Sequence, residues 1–154
     1  MTTHKPHGEW MYGVESCVHP DYRSKGVGSK LMDARFDVLR RLNLRGMIAG
    51  GMPMDYHKVA HEMSIEQYMA EVVAGKRFDT NLSKQLHKGF RMHNLIPNYI
   101  YDPRACNYGV AILWENPDYV PGKQPLLKLV EKPQQIRVRL KTPAASIPLS
   151  AAGT

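Results

Sequence analysis

The fourteen-residue stretch Val18-His19-Pro20-Asp21-Tyr22-Arg23-Ser24-Lys25-Gly26-Val27-Gly28-Ser29-Lys30-Leu31 restricts what this chain can fold into more than any other. An apolar run ends at Val18, Pro20 stops it, and a basic, glycine-containing turn opens a helix near Val27. That is a strand, a loop and a free helix N-terminus. The first N–H groups of a helix lack internal partners and the helix dipole puts partial positive charge there, so backbone alone can hold a phosphate. Gly26 and Gly28 let an anion approach the main chain because neither carries a Cβ. Two familiar phosphate loops are excluded by counting. G-x-G-x-x-G requires a third glycine where Leu31 stands, and G-x-x-x-x-G-K-[ST] fails because Ser29 follows Gly28 and Arg23 lies five positions before it. What remains is Arg23-x-x-Gly26-x-Gly28, whose plain alternative is a basic strand-to-helix turn.

The flanks extend this pattern into an α/β unit. Trp10 to Val18 reads as a strand, with Tyr12, Val14, Ser16 and Val18 on one face and Met11, Gly13, Glu15 and Cys17 on the other. A helix is expected from Val27 to Leu42. Its stripe of Val27, Leu31, Ala34, Val38 and Leu42, with Met32, Phe36 and Leu39 beside it, is wide enough to lie on a sheet. Asn43 can terminate it. Arg45 to Gly51 is then a short parallel strand, reached by a right-handed crossover. Residues 52–82 are too long for an ordinary connection and carry their own helix, with Ser64-Ile65-Glu66-Gln67 as a capping box and Gly75 as the stop. Thr80 or Asn81 can cap a further helix over Leu82 to Lys88. Phe90 to Tyr101 is interrupted by Pro97 and reads as a bulged or edge strand. Tyr108 to Glu115 is its antiparallel partner. His57 and His61 stand four apart, but no third ligand completes a motif and no metal is expected.

At 154 residues the chain allows one domain, and no apolar run approaches a membrane span. The polar start and the two unpaired cysteines point to the cytoplasm. Residues 118–154 hold six basic and two acidic side chains, a net charge of +4 out of +7, and form a Pro-rich tail or linker. Dispersed charge without interleaved aromatics argues against nucleic acid as the partner.

Taken together, the strand, loop, helix, strand, helix ending in Gly89-Phe90 and antiparallel strand pair resemble the second half of the GNAT fold, the acetyl-CoA-dependent N-acyltransferases. The resemblance covers residues 9–117, after a lead-in of residues 1–8. Ile48-Ala49-Gly50-Gly51-Met52-Pro53, Tyr56-His57, Gln85-Leu86, Gly89-Phe90, Pro97-Asn98-Tyr99 and Trp114-Glu115-Asn116-Pro117 are similar to the acetyltransferase domain fused ahead of some carbon–nitrogen hydrolases, insertion 52–82 included. The resemblance implies a partial GNAT fold, an α/β mixed sheet whose βαβ unit carries the acyl-CoA loop. It also implies acetyl-CoA as acyl donor and an amine as acceptor. Cys17, Val18, Arg23, Ser24, Lys25, Gly26, Val27, Gly28 and Ser29 would hold the cofactor, and the strand ending at Val18 would pair with the pantetheine arm. Glu15, Tyr12 and Tyr99 are the candidate catalytic residues, Glu15 as base and the tyrosines as proton relays, against the plain readings of a solvated carboxylate and packed rings.

Two departures from the family pattern bear on activity. The first half of the GNAT domain, which forms much of the acceptor cleft, has no counterpart here. Gln85 stands where many members carry a general-acid tyrosine. The hydrolase's Glu-Lys-Cys set is absent, so hydrolase activity is not expected. The chain therefore reads as an N-acetyltransferase or as a truncated CoA-binding module, and its open sheet edge calls for a homodimer or a missing N-terminal half.

Overall fold

The computed structural model describes residue 5 and residues 7–123. The residues of the basic tail from 124 onward lie outside the described part. Four strands, β1 (Trp10–Gly13), β2 (Gly46–Gly51), β3 (Arg91–Ile96) and β4 (Gly109–Glu115), form one mixed sheet in the order β1-β2-β4-β3. Three helices, α1 (Val27–Arg41), α2 (Ile65–Val73) and α3 (Leu82–His87), accompany it. β1 and β2 are parallel with α1 as their crossover, whereas β4 runs antiparallel to both β2 and β3. The β3–β4 pairing and the edge position of β3 follow the sequence expectation, but the strand ends at Ile96, before Pro97, and its bulge lies between Met92 and Asn94; the insertion of β4 between β2 and β3 is what the structure adds.

All three helices lie on one face of the sheet. Met47, Ala49 and Gly51 of β2 and Val110, Ile112 and Trp114 of β4 point toward them, since alternate strand residues share a face. Phe36 of α1 stacks on Trp114 with ring centroids 4.0 Å apart and planes 11° from parallel. This stack sets the roll of α1 and corrects the expected stripe. Phe36 and Leu39 are buried while Leu31 is 41% exposed, because burying the larger aromatic surface against Trp114 outweighs burying Leu31 and Ala34. The opposite face carries Trp10, Tyr12, Ile48, Gly50, Ala111 and Leu113 and, among the described residues, no helix.

The 52–82 segment is held by two carboxylates. Asp79 is fully buried, yet both its oxygens are satisfied: Oδ1 accepts from the N–H groups of Asn81 and Leu82, and Oδ2 from Asp55 N–H and the Tyr68 hydroxyl. Asp79, not Thr80 or Asn81, therefore caps α3. Burial, followed by the hydrogen bond to Asp79, pushes the Tyr68 hydroxyl above its ordinary value and keeps it a donor. Burial alone would raise the Asp55 carboxyl. Hydrogen bonds from Lys58 and Thr80 outweigh it and hold the pKa at about 2, down from 3.8.

The other end of the sheet is closed by side chains reaching backbone. Asn43, in the left-handed region at φ 51°, donates through Nδ2 to the carbonyls of Val120 and Lys123 and accepts from Val120 N–H. Asn116 Nδ2 donates to Leu44 O, and the Tyr119 hydroxyl meets Glu9.

Asp79→Ala leaves several buried donors unpaired and should cost about 3 kcal/mol or more in denaturant unfolding, with an unchanged slope. The Asp55 contribution has a definite sign. Its folded pKa lies below the unfolded one, so the contribution is complete above about pH 4 and is lost as pH falls toward 2. An Asp55→Asn variant should accordingly show a smaller loss of melting temperature between pH 5 and pH 2.5 than the wild type.

Candidate functional site

The basic loop lies where β1 ends. β1 pairs with β2 only through Gly13 and Ala49, while β2 continues two residues further against β4. The strands therefore part at Gly13, and Gly50 and Gly51 of β2 have no strand on that side. Sequence reading carries the strand to Val18, but Val14 to Cys17 leave the sheet and are exposed. A strand persists only while its backbone groups have a partner. Here the Glu15 carbonyl instead accepts a hydrogen bond from the Arg35 guanidinium of α1. Cys17 is consequently an exposed thiol rather than a strand residue.

A single 3-10 turn, Pro20–Tyr22, carries the chain around, and Arg23 Nε donates to Val18 O at 3.3 Å, drawing the loop closed. Ser24 and Gly26 adopt φ values of 58° and 75°. At Gly26 the left-handed conformation is the reason for glycine, with no Cβ neighbour within 4 Å. The first helical hydrogen bond outside the turn runs from Lys30 N–H to Gly26 O, so the N–H groups of Val27, Gly28 and Ser29 precede the ladder. Gly26 brings no side-chain cap. Three backbone donors at the positive end of a fifteen-residue helix thus face outward beside the exposed Arg23, Lys25 and Lys30.

The structure brings Tyr12 and Tyr99 together, their hydroxyls 3.4 Å apart on the helix-free face. The hydrogen bond with Tyr12, followed by burial, raises the Tyr99 pKa and keeps that phenol neutral. Glu15 is an exposed side chain, and among the described residues only its backbone carbonyl, held by Arg35, is engaged. His57 Nδ1 lies 2.9 Å from Arg104 O, and His61 faces Glu62, so the two histidines are not directed at a common point.

The family model described as the acetyltransferase (GNAT) family matches residues 2–61. Over that segment the chain is similar to the GNAT acetyltransferases. Among curated sequences, the probable hydrolase YhcX of Bacillus subtilis (strain 168) is 43% identical over 79% of this chain but 24% of its own length. The uncharacterized N-acetyltransferase YkwB of the same organism is 36% identical over 77% of this chain and 53% of its own. The chain thus spans about a quarter and about half of these relatives. A GNAT-like decarboxylase, GphF, in complex with isobutyryl-CoA, superposes with a TM-score of 0.62 at 23% identity, over 73% of this chain and 58% of that one. This likeness is one of fold, and it agrees with the mixed sheet and its helices.

The structure adds the surroundings of Gln85, the residue that sequence reading places at the position of a general-acid tyrosine. Gln85 Oε1 is buried without a hydrogen-bond partner among the described residues, packed over Gly51, where an added Cβ would fall 2.8 Å from it. No helix of the described residues is long and apolar enough to cross a membrane.

Proposed function

We propose that this chain is an acyl-CoA-binding N-acetyltransferase, its domain spanning residues 9–117 with an insertion at 52–82, that takes acetyl-CoA as donor and an amine as acceptor. One observation carries the reading: the unladdered N–H groups of Val27, Gly28 and Ser29 stand behind a basic loop at the mouth of two parting parallel strands. A pyrophosphate there accepts from the helix N-terminus, with Arg23, Ser24 and Lys25 around it. Val18 and Cys17, freed from strand pairing, leave backbone groups available to the amides of the pantetheine arm.

The reaction class is attack of an amine on a thioester. A lysine-like amine of pKa about 10.4 is neutral only about once in 2,500 at pH 7, which costs about 4.6 kcal/mol unless a base or a dry site assists. Glu15 is the carboxylate nearest in sequence to the parting point and is the proposed base. Tyr99, held neutral, and Tyr12 supply hydroxyls for the thioester carbonyl or for a proton relay. A backbone N–H on the open side of β2 polarises the carbonyl.

The helix-free face favours a second, narrower reading. A parallel pair is ordinarily covered on both sides, and a one-walled cleft holds an amine poorly within the roughly 3–3.5 Å that positioning requires. In this reading the chain binds CoA, and its acceptor wall comes from an N-terminal half or from a second copy against β1. Gln85 cannot donate a proton to the leaving thiolate as a tyrosine hydroxyl does, which also makes for slow turnover.

Two measurements test these readings. Isothermal calorimetry should find acetyl-CoA binding that falls at least tenfold in Gly28→Trp; equal heats for the two proteins would sink the loop assignment. A thiol-release assay with a panel of amines should find weak turnover by this chain alone and a marked rise when a complete N-terminal half is supplied. Glu15→Gln should lower the rate at neutral pH at least tenfold.

A further inference from the structure

The two faces of the sheet differ in what fills the space where β1 and β2 part. On the helix side that space is taken: a Cβ on Gly13 would lie 3.2 Å from both Ala49 Cβ and Met47 Sδ, and one on Gly51 would lie 2.7 Å from Leu82 Cδ2. On the helix-free side stand Tyr99 and Tyr12. The Tyr99 ring lies in a slot made by two glycines of neighbouring strands. A Cβ on Gly50 would fall 2.0 Å from its Oη and 2.3 Å from its Cζ, and one on Gly109 would fall 2.5 Å from its Cδ1 and Cγ. The ring is therefore laid across β2 and β4 with its hydroxyl end over Gly50, at the parting point. Its backbone is fixed as well, since Tyr99 N–H donates to Asn107 O at 2.9 Å and Asn98 before it turns through φ 53°.

This inference rests on the reading that the thioester of an acyl-CoA lies at that point. An acyl group carried there has one open direction, onto the helix-free face, because Met47, Leu82 and Gln85 close the other. The first obstacle it meets is the Tyr99 phenol, with Tyr12 beside it. We propose that Tyr99, seated in the Gly50–Gly109 slot, is the residue that sets donor specificity, by limiting the acyl chain to a few carbons. The ring does this through bulk, not through its hydroxyl. No bond is made or broken in this role, which is separable from any proton relay. Gly50 and Gly109 are positioning residues, since any side chain at either would expel the ring.

The experiment is calorimetry on the full chain with CoA, acetyl-CoA, butyryl-CoA and hexanoyl-CoA, for wild type, Tyr99→Ala and Tyr99→Phe. The wild type should bind acetyl-CoA at least tenfold more tightly than hexanoyl-CoA. Tyr99→Ala should abolish or reverse that ratio with affinity for CoA itself unchanged within about threefold, and Tyr99→Phe should keep the wild-type ratio even where turnover falls. Should Tyr99→Ala fail to fold, Tyr99→Leu, which keeps apolar bulk in the slot but loses the hydroxyl end of the ring, should admit butyryl-CoA. CoA binding with a length preference that neither small variant moves overturns the inference alone. So does a preference lost in Tyr99→Phe, which would assign it to the hydroxyl. Failure of wild type to bind CoA in any form overturns the underlying reading, and this one with it.

Discussion

The early parting of β1 from β2 governs the rest of the molecule. A backbone that leaves a sheet must find other partners for its polar groups or leave them to water. After Gly13 the chain takes the second course for most of six residues, with Arg35 reaching across from α1 to one carbonyl. That departure makes room for the loop, sets the first turn of α1 at the sheet's end, and leaves the edge of β2 without a strand partner over Gly50 and Gly51. A longer β1 would have satisfied more backbone and closed the cleft.

Away from the cleft, the 52–82 segment shows how a buried charge can organise a region instead of destabilising it. Asp79 is tolerable at zero exposure because four donors from three separate stretches converge on it, two of them the first N–H groups of a helix. The arrangement trades hydration for placement. Asp55, Tyr68 and the start of α3 are fixed relative to one another, and Leu82 is then set under Gly51 at the end of β2.

Much of this was legible in the sequence, for local reasons. The loop, the crossover, the parallel strand and the stop residues Asn43, Gly75 and Gly89 each answer to backbone chemistry at their own positions, and all three stops do adopt positive φ. What escaped is what depends on distant partners. The end of β1 at Gly13 turns on which strand lies alongside, the roll of α1 on Trp114 more than seventy residues later, and the cap of α3 on Asp79, a carboxylate that precedes both expected caps and is itself fixed by Asp55 and Tyr68. Tyr12 and Tyr99 were both singled out, but their meeting requires β4 to stand beside β2 with glycines at 50 and 109, a register that no local pattern announces.

The clamp by Asn43 on Val120 and Lys123 has a consequence for architecture. Parallel β1 and β2 begin at the end of the sheet where this clamp lies and finish at the end where the basic loop lies. Val120 and Lys123, held through their carbonyls, therefore lie at the pole opposite the cleft. The side chain that stops α1 is thus the same one that pins the far pole, so losing this single amide would loosen the helix end and the sheet's closure together.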